Sequence, residues 1–458
     1  MPHLPIVGPP HGLVAAAFWP PFSHRAAAED QGGGAAGGST SMDVSSYAVL
    51  QNNSKRGGGV FVEGQEDASY PACTSNTWQQ QQQQQQRFDA GGGGGANASD
   101  TCTAADDHNR CDLVMNERLW SQLPEDLVDR ILAWLPVASF LRLRTVCKKW
   151  STIMYSPSFL EVCSQVPTQG PYFMKISNCE YSRLLSSYNP VLCKWHDIPI
   201  SFLPPHAGFP VASAGGLLCL INKFHGYVDD FCSLFVCNPL TKSWRELPPM
   251  PCKQRPILVS MVAERRPFSY KVIVAGLLTT EVFDSTTCSW RRVGSLPRGE
   301  EVSGNIAFSN GNLYCLTPRW YNCALLAYNL QQEVWVKVKT GRLPGYCQFR
   351  NLVGCKGCIV IVGKSVRHHV LSVCIWLLDQ KTMKWKEVGR MPQRMSDHFL
   401  CRPSESFYCT AHGDLIFLTR DNCDMGLLFN LSHKTWIWVS DCPNLEGLAF
   451  EPRLDAIA

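Results

Sequence analysis

Six times along this chain an Asn or Asp is followed, six positions later, by a Trp: Asn189/Trp195, Asn238/Trp244, Asp284/Trp290, Asn329/Trp335, Asp379/Trp385 and Asn430/Trp436. Successive Trp residues stand 49, 46, 45, 50 and 51 positions apart, and a Pro follows each within nine residues (Pro199, Pro248, Pro297, Pro344, Pro392 and Pro443). A repeat of this length made of short strands cannot bury its own apolar face, so neighbouring copies must stack. Closing that stack into a ring removes the open sheet edges, and the ring is a β-propeller. Six copies predict six blades and a mainly β chain. Such a scaffold presents a rigid face with variable loops, which suits recognition better than chemistry.

Each repeat has the same internal order. One run opens on Gly followed by apolar residues, as in Gly216-Leu-Leu-Cys-Leu, Gly311-Asn-Leu-Tyr-Cys-Leu, Gly357-Cys-Ile-Val-Ile and Gly413-Asp-Leu-Ile-Phe-Leu. The Gly is expected to admit a close backbone approach near the ring axis. A second run ends at the Asn or Asp, whose side chain can close an Asx turn. The Trp then opens the last strand. All six (Trp195, Trp244, Trp290, Trp335, Trp385 and Trp436) are expected to fill the wedge between blades, each burying about 150–250 Å² of aromatic surface. The first repeat is incomplete, with residues 172–176 and the Trp195 turn its clear pieces, and Gly447-Leu-Ala-Phe450 is the run placed to complete it.

Upstream the pattern changes period. Between Met115 and Cys163 Leu123, Leu127, Ile131 and Leu135 recur every four residues, the spacing of one helical face. Pro136 stops that helix, and a second is expected to start near Ala138 or Ser139, with Ser139 a fair N-cap. Arg142, Arg144, Lys148 and Lys149 form its polar face. A hairpin of under about 50 residues has a small core and more apolar surface than it can cover alone. Residues 162–170 read as a linker. Residues 1–112 carry eight consecutive glutamines (Gln79–Gln86), five glycines (Gly91–Gly95) and a net charge of −6, against +10 for the rest. Such a composition predicts a disordered low-complexity tail.

The +10 spread over the remainder is too dilute to imply nucleic acid, and the longest apolar stretch, residues 131–141, is too short for a membrane span. The 22 cysteines are scattered, and the opening segment lacks the basic n-region of a secretory signal. Reduced thiols and a location in the nucleus or cytoplasm are therefore expected. Cys355-Lys-Gly-Cys358 is a lone CxxC, two ligands where zinc needs four, so no metal or cofactor is expected.

The segment LPEDLVDRILAWLPVASFLRLRTVCKKWSTIMYSPSF, residues 123–159, resembles an F-box at Leu123, Pro124, Leu127, Ile131, Leu132, Leu135, Pro136, Leu141, Val146, Cys147, Lys149 and Trp150. The repeats resemble kelch repeats, best at Asn238-Pro-Leu-Thr-Lys-Ser-Trp244 with Leu247-Pro248, although the kelch double glycine occurs only at Gly215-Gly216. The whole is similar to the plant F-box/kelch-repeat family. The expected fold is a six-bladed kelch-like β-propeller over 171–458, preceded by a small helical F-box over 117–163 and the disordered tail. By that resemblance the F-box docks on a Skp-type adaptor and through it a cullin, and the chain is the non-catalytic receptor of an SCF-type ubiquitin ligase. The alternative is a ubiquitin-independent scaffold or transcriptional cofactor.

The resemblance makes Leu123, Pro124, Leu127, Ile131, Leu135, Pro136, Leu141, Val146, Cys147 and Trp150 the adaptor-binding candidates. Leu123, Pro124, Leu127 and Leu135 are expected to face the adaptor, with Val146, Cys147 and Trp150 partly in the hairpin's own core. For a protein substrate the candidates lie in the variable loops: Phe224, His225, Tyr227, Arg319, Trp320, Tyr321, Arg367, His368, Arg420 and Asp421. Trp, Tyr and Arg are the residue types that dominate binding hot spots.

Overall fold

The computed structural model describes Ala15–Ala16 and residues 122–458, apart from 168–169, 177–182, 223–231, 252–255, 277–278, 301, 303–305, 318–322, 346–349, 368, 401–405, 421–422 and 443–446. The expected N-terminal tail falls outside the described residues except for Ala15–Ala16, a two-residue strand, β1.

Six antiparallel sheets form the ring, five of four strands and one extended to five by β1. Blade 1 comprises β2 (Tyr172–Ile176), β3 (Leu184–Asn189) and β4 (Lys194–Pro199), and blade 2 comprises β5 (Ala207–Ala214), β6 (Leu217–Asn222), β7 (Leu234–Asn238) and β8 (Ser243–Glu246). Blade 3 holds β9 (Leu258–Arg265), β10 (Phe268–Ala275), β11 (Thr280–Asp284) and β12 (Ser289–Val293). Blade 4 holds β13 (Ile306–Ser309), β14 (Asn312–Leu316), β15 (Leu325–Asn329) and β16 (Val334–Val338). Blade 5 holds β17 (Asn351–Cys355), β18 (Cys358–Arg367), β19 (Val370–Asp379) and β20 (Lys384–Arg390). Blade 6 holds β21 (Tyr408–His412), β22 (Leu415–Thr419), β23 (Gly426–Asn430) and β24 (Thr435–Val439). The run foreseen to complete blade 1 does so: β25 (Gly447–Phe450) pairs with β2 in the register Tyr172↔Phe450, Phe173↔Ala449 and Met174↔Leu448. Closure is sealed by Phe173 stacked on Phe417 of blade 6 at 5.2 Å. β1 adds to the inner edge of blade 2, Ala15 opposite Ser213.

The repeat is explained atom by atom. In every blade the Asn or Asp Oδ1 accepts the backbone N–H two residues on, as in Asn189 from Val191 (2.9 Å), Asn238 from Leu240 (3.0 Å) and Asn430 from Ser432 (3.0 Å). The residue two before each Trp then turns left-handed, φ between 50° and 62° at Cys193, Lys242, Cys288, Glu333, Met383 and Lys434. The Trp stands cross-strand from the residue just before the Asn or Asp, which is aromatic in four blades. Three indoles also donate to the preceding blade: Trp195 to Ser440 O (2.9 Å), Trp290 to Pro248 O (2.7 Å) and Trp335 to Thr280 Oγ1 (2.9 Å).

The expectation that all six Trp residues fill the wedge between blades needs correcting. Only Trp335 is buried. Trp195, Trp290, Trp385 and Trp436 are half-buried, and Trp244 is 43% exposed. The reason is position: each Trp sits on the outermost strand of its blade, where one edge of the indole meets water. Trp436 rests on Phe429 at 4.6 Å and packs against the apolar cluster shared by blades 5 and 6. Trp385 has no such aromatic platform. It stands opposite Leu378, packs against the cluster between blades 4 and 5, and its Nε1 has no hydrogen-bond partner among the described residues. Trp244 is set opposite the still smaller Cys237, which leaves it least covered.

The glycine expectation of a close approach holds at Gly216, where a Cβ would stand 2.6 Å from Arg453 Cβ, and is corrected at the other three. Gly311, Gly357 and Gly413 sit in hairpin turns at φ 72°, 69° and 57° with nothing near where a Cβ would be, so turn geometry and not close approach requires them. A close approach to backbone also occurs at Gly354 in β17, whose Cβ would lie 2.9 Å from the Phe308 carbonyl of the neighbouring inner strand.

The helical part is not a hairpin but four helices: α1 (Glu125–Trp134), α2 (Val137–Leu143), α3 (Lys148–Thr152) and α4 (Pro157–Gln165), with a 3₁₀ turn at Ile153–Tyr155. α2 starts directly behind Pro136, whose carbonyl accepts from Ser139 and Phe140, so Ser139 is inside the helix and not its cap. The expected linker is half helix, since α4 runs to Gln165 and Val166 is buried. Phe140 and Phe159 stack at 5.4 Å in the middle of the module. Around them Leu132, Val137, Met154 and Cys163 join one continuous cluster with Met174, Leu185, Leu240 and Leu454 of the propeller side. The small module is thus covered on one face by the ring itself.

Candidate partner-docking site

The other face of the module is uncovered. Burial takes Val128, Leu132 and Leu135 of the α1 region inward, while Leu127 and Ile131 are each 40% exposed and Trp134 is 62% exposed. Spacings of four and three place these side chains in one outward stripe. Glu125 and Asp126 in the first turn suit the positive end of the helix. The Pro124 carbonyl accepts from Leu127 and Val128 to start it. Val146, 64% exposed, and Tyr155 add apolar surface beyond the stripe. A row of large apolar side chains left in water on a folded module marks a surface for a partner.

Polar groups frame the stripe. Lys149 Nζ meets Glu125 Oε1 at 2.6 Å and bridges α3 to the start of α1. The hydrogen bond holds the Glu125 carboxyl below its ordinary range and Lys149 above its own. Arg144 turns back, its Nε and Nη2 donating to Ser151 O at 3.1 and 2.9 Å, which pins the α2–α3 loop. Arg142, Arg144, Lys148 and Lys149 therefore lie on two helices and a loop, not on one helix face. Cys147 caps α3, its sulfur accepting from Trp150 N at 3.4 Å.

Of the adaptor candidates, the structure brings Leu127 and Ile131 together on the stripe and leaves Pro124, Pro136, Val146 and Cys147 exposed. Val146 and Cys147, expected partly in the module's core, are instead in its exposed α2–α3 loop. Leu135, expected to face a partner, packs against the core with Leu141 and Trp150, while Leu123 is half-buried. Trp134 and Tyr155 were missed. Trp134 carried its own signal, seven residues after Leu127 and three after Ile131.

The propeller has two unlike rims. The Asx turns and the first-to-second-strand hairpins lie on one, and the module meets this turn rim at Leu240 and through Arg266 Nη2 on Ser164 O (3.2 Å). The second-to-third-strand connections and the blade-to-blade crossings belong to the opposite, loop rim. Arg367 ends β18 and Arg420 follows β22, so both stand at that rim. Phe224, His225, Tyr227, Arg319, Trp320, Tyr321, His368 and Asp421 lie outside the described residues. The sequence reading also missed α5 (Gln393–Phe399), a helix in the crossing from blade 5 to blade 6. Ser372 Oγ, 3.0 Å from both Met391 O and Ser396 Oγ, fixes it. It presents Gln393, Arg394, Asp397 and His398 outward.

No cluster of three or more potential metal ligands occurs among the described residues. Cys355 and Cys358 face each other across a turn-rim hairpin, whereas His369 lies past the far end of the ten-residue β18, roughly 30 Å away, so they cannot share an ion. Burial pushes the Cys355 thiol up to about 12, and Cys163 likewise. No helix among the described residues is long and apolar enough to cross a membrane.

Comparison with known proteins agrees with this geometry. Residues 120–161 match the F-box domain, and residues 188–436 match the KIB1-4 beta-propeller. The chain is 30% identical to F-box only protein 6 of Arabidopsis thaliana over 72% of its length and 71% of that protein. It is 27% identical to Protein UNUSUAL FLORAL ORGANS of the same plant, over 74% of this chain and 86% of that one. SKP1-interacting partner 15, also from Arabidopsis thaliana, is 22% identical over 72% of this chain and 97% of its own. A helical F-box seated on a six-bladed kelch-like propeller, with relatives aligned through both parts, makes this chain a member of the plant F-box/kelch-repeat protein family.

Proposed function

We propose that this chain is the substrate-recognition subunit of an SCF-type ubiquitin ligase, its F-box held by a Skp-type adaptor and through it a cullin. The observation that carries the reading is the Leu127–Ile131–Trp134 stripe, left in water on a module whose opposite face is sunk in the propeller core. An amphipathic helix face of this kind docks into an apolar groove. The name of one relative, SKP1-interacting partner 15, supports such a partner. The loop rim, opposite the F-box, is free to capture a protein. The chain then needs no chemistry of its own, since holding a target near a conjugating enzyme supplies proximity. Ubiquitination and proteasomal degradation of the captured protein, in nucleus or cytoplasm, complete the proposal.

The test is a pull-down with the full chain, wild type against Leu127→Asp/Ile131→Asp, read for adaptor and cullin. The double variant should lose both by at least about a hundredfold while its thermal melt stays in place, because interface anchors carry most of the binding energy. Adaptor retained by the variant would sink the reading.

A further inference from the structure

Residues 451–458 follow the closing strand β25 and do not run off into solvent. Arg453, Leu454 and Ala456 are buried, and Pro452 to Asp455 line a cleft whose other wall is Leu132, Ala133, Phe140 and Cys163 of the F-box. Leu454 belongs to the apolar cluster shared by F-box and propeller. The segment is therefore a third body in the seam, touching the F-box on one side and the ring on the other.

Its hold on the ring is polar and specific. Asn238 Nδ2 donates to the carbonyls of Arg453 and Ala456, both at 2.9 Å, while its Oδ1 closes the blade 2 Asx turn. Glu451 Oε1 accepts from Arg265 Nη2 of blade 3 at 2.5 Å and lies 3.4 Å from Arg453 Nη1. Arg453 Nη2 meets Asp455 Oδ2 at 2.5 Å. Burial pulls the Arg453 pKa down, but the Asp455 and Glu451 carboxylates outweigh it and keep the buried guanidinium charged.

Gly216 fits the same picture. A Cβ at Gly216 would stand 2.6 Å from Arg453 Cβ and 3.0 Å from Ala456 Cβ, and its φ is 91°. Its counterparts in the blade 4 and blade 5 turns, Gly311 and Gly357, have nothing within 4 Å of a Cβ. Gly216 differs because residues 453–456 cross directly over it, while the extra glycine, Gly215, abuts Ala263.

We propose that Arg453 and Leu454 are positioning residues: together with Gly216 and Asn238 they clamp the F-box to the propeller in one orientation, so that a partner held on the stripe and a protein held on the loop rim keep a fixed separation. Flexible attachment would scatter that separation, and proximity acts only when geometry is held. Leu454 supplies the contact to the F-box, and Arg453 anchors Leu454 to the ring.

Hydrogen exchange by mass spectrometry on the full chain tests this without any partner, so failure of the adaptor reading leaves the test standing. Removing residues 453–458 keeps β25 and should speed exchange in α1, α2 and α4 by about tenfold or more, with β10, β14 and β18 unchanged. Unchanged F-box exchange overturns the proposal. Should the truncation strip protection from the whole ring, Leu454→Ala decides: faster exchange confined to the F-box supports the clamp, and uniform or absent change overturns it. On a variant that passes, adaptor pull-down at wild-type level combined with a broadened F-box-to-ring distance distribution separates positioning from loss of fold.

Discussion

The propeller and the F-box treat their apolar residues in opposite ways. In blade 2 every residue of β7 and nearly all of β6 is buried, and the outer β8 gives its surface mainly to polar groups. In α1, five positions separate buried Leu132 from exposed Leu127, and Trp134 points outward. The ring is a finished object; the module is finished on one side only. An apolar residue therefore means stability in one region and, on the outer stripe of the other, a partner.

The sharpest way to break that contrast is within the module. Phe159→Ala removes a fully buried ring stacked on Phe140 and should cost about 3–5 kcal/mol, enough to unfold a small module. Leu127→Ala should shift stability by no more than about 0.5 kcal/mol, as surface substitutions do. Both should lose adaptor binding, but only Phe159→Ala should lose F-box protection in hydrogen exchange. Comparable destabilisation by the two would mean the stripe is core after all.

A second contrast lies between seams of the ring. Trp335→Phe leaves the buried Thr280 hydroxyl without its indole donor and should cost about 1–3 kcal/mol in urea unfolding. Trp244, exposed and set against Cys237, should tolerate Phe within about 0.5 kcal/mol. Equal losses would show that the Trp works by area alone and not through its bond to the preceding blade.

These seams also show what sequence could and could not reveal. The Asn/Asp-to-Trp spacing encodes a local event, an Asx turn and a cross-strand pair, so six repeats and their turn chemistry followed from it, while the candidate for closure by β25 came from the incomplete first repeat. How deeply each indole sinks did not follow, because Trp385 and Trp436 share the spacing of Trp335 but are less covered. That depth is set by the residue opposite and by the neighbouring blade. The F-box helices were legible as apolar residues but not as faces. A four-residue period through Leu123, Leu127, Ile131 and Leu135 looks the same whether it points at a core or a partner, and here Leu135 points one way and Leu127 the other. That assignment depends on where the ring sits, a contact between residues distant in the chain. Gly216 was visible at once, yet the residues that pass over it, 453–456, lie some 240 positions downstream.

The smallest predicted effect compares blades through pH. Blades 3 and 5 use Asp where the others use Asn. Burial raises the Asp284 carboxyl, but hydrogen bonds from the Thr286 hydroxyl and N–H outweigh it and leave it below its usual range. At Asp379 the Thr382 hydroxyl, with the Lys381 N–H, lowers it. A carboxylate depressed in the folded state adds stability above its unfolded value near 3.9, and loses it as pH falls through the folded value. Asp284→Asn/Asp379→Asn should therefore lower Tm slightly near neutrality, where the carboxylates contribute, and flatten its fall below about pH 4. The converse swap, Asn329→Asp, should steepen it, because Oδ1 of Asn329 already accepts from Gln331 and Gln332 at 3.0 and 2.7 Å. Parallel Tm curves for wild type and both variants would mean the turns hold by geometry alone, with the charge on Asp284 and Asp379 adding nothing to the neutral amide that serves the other four blades.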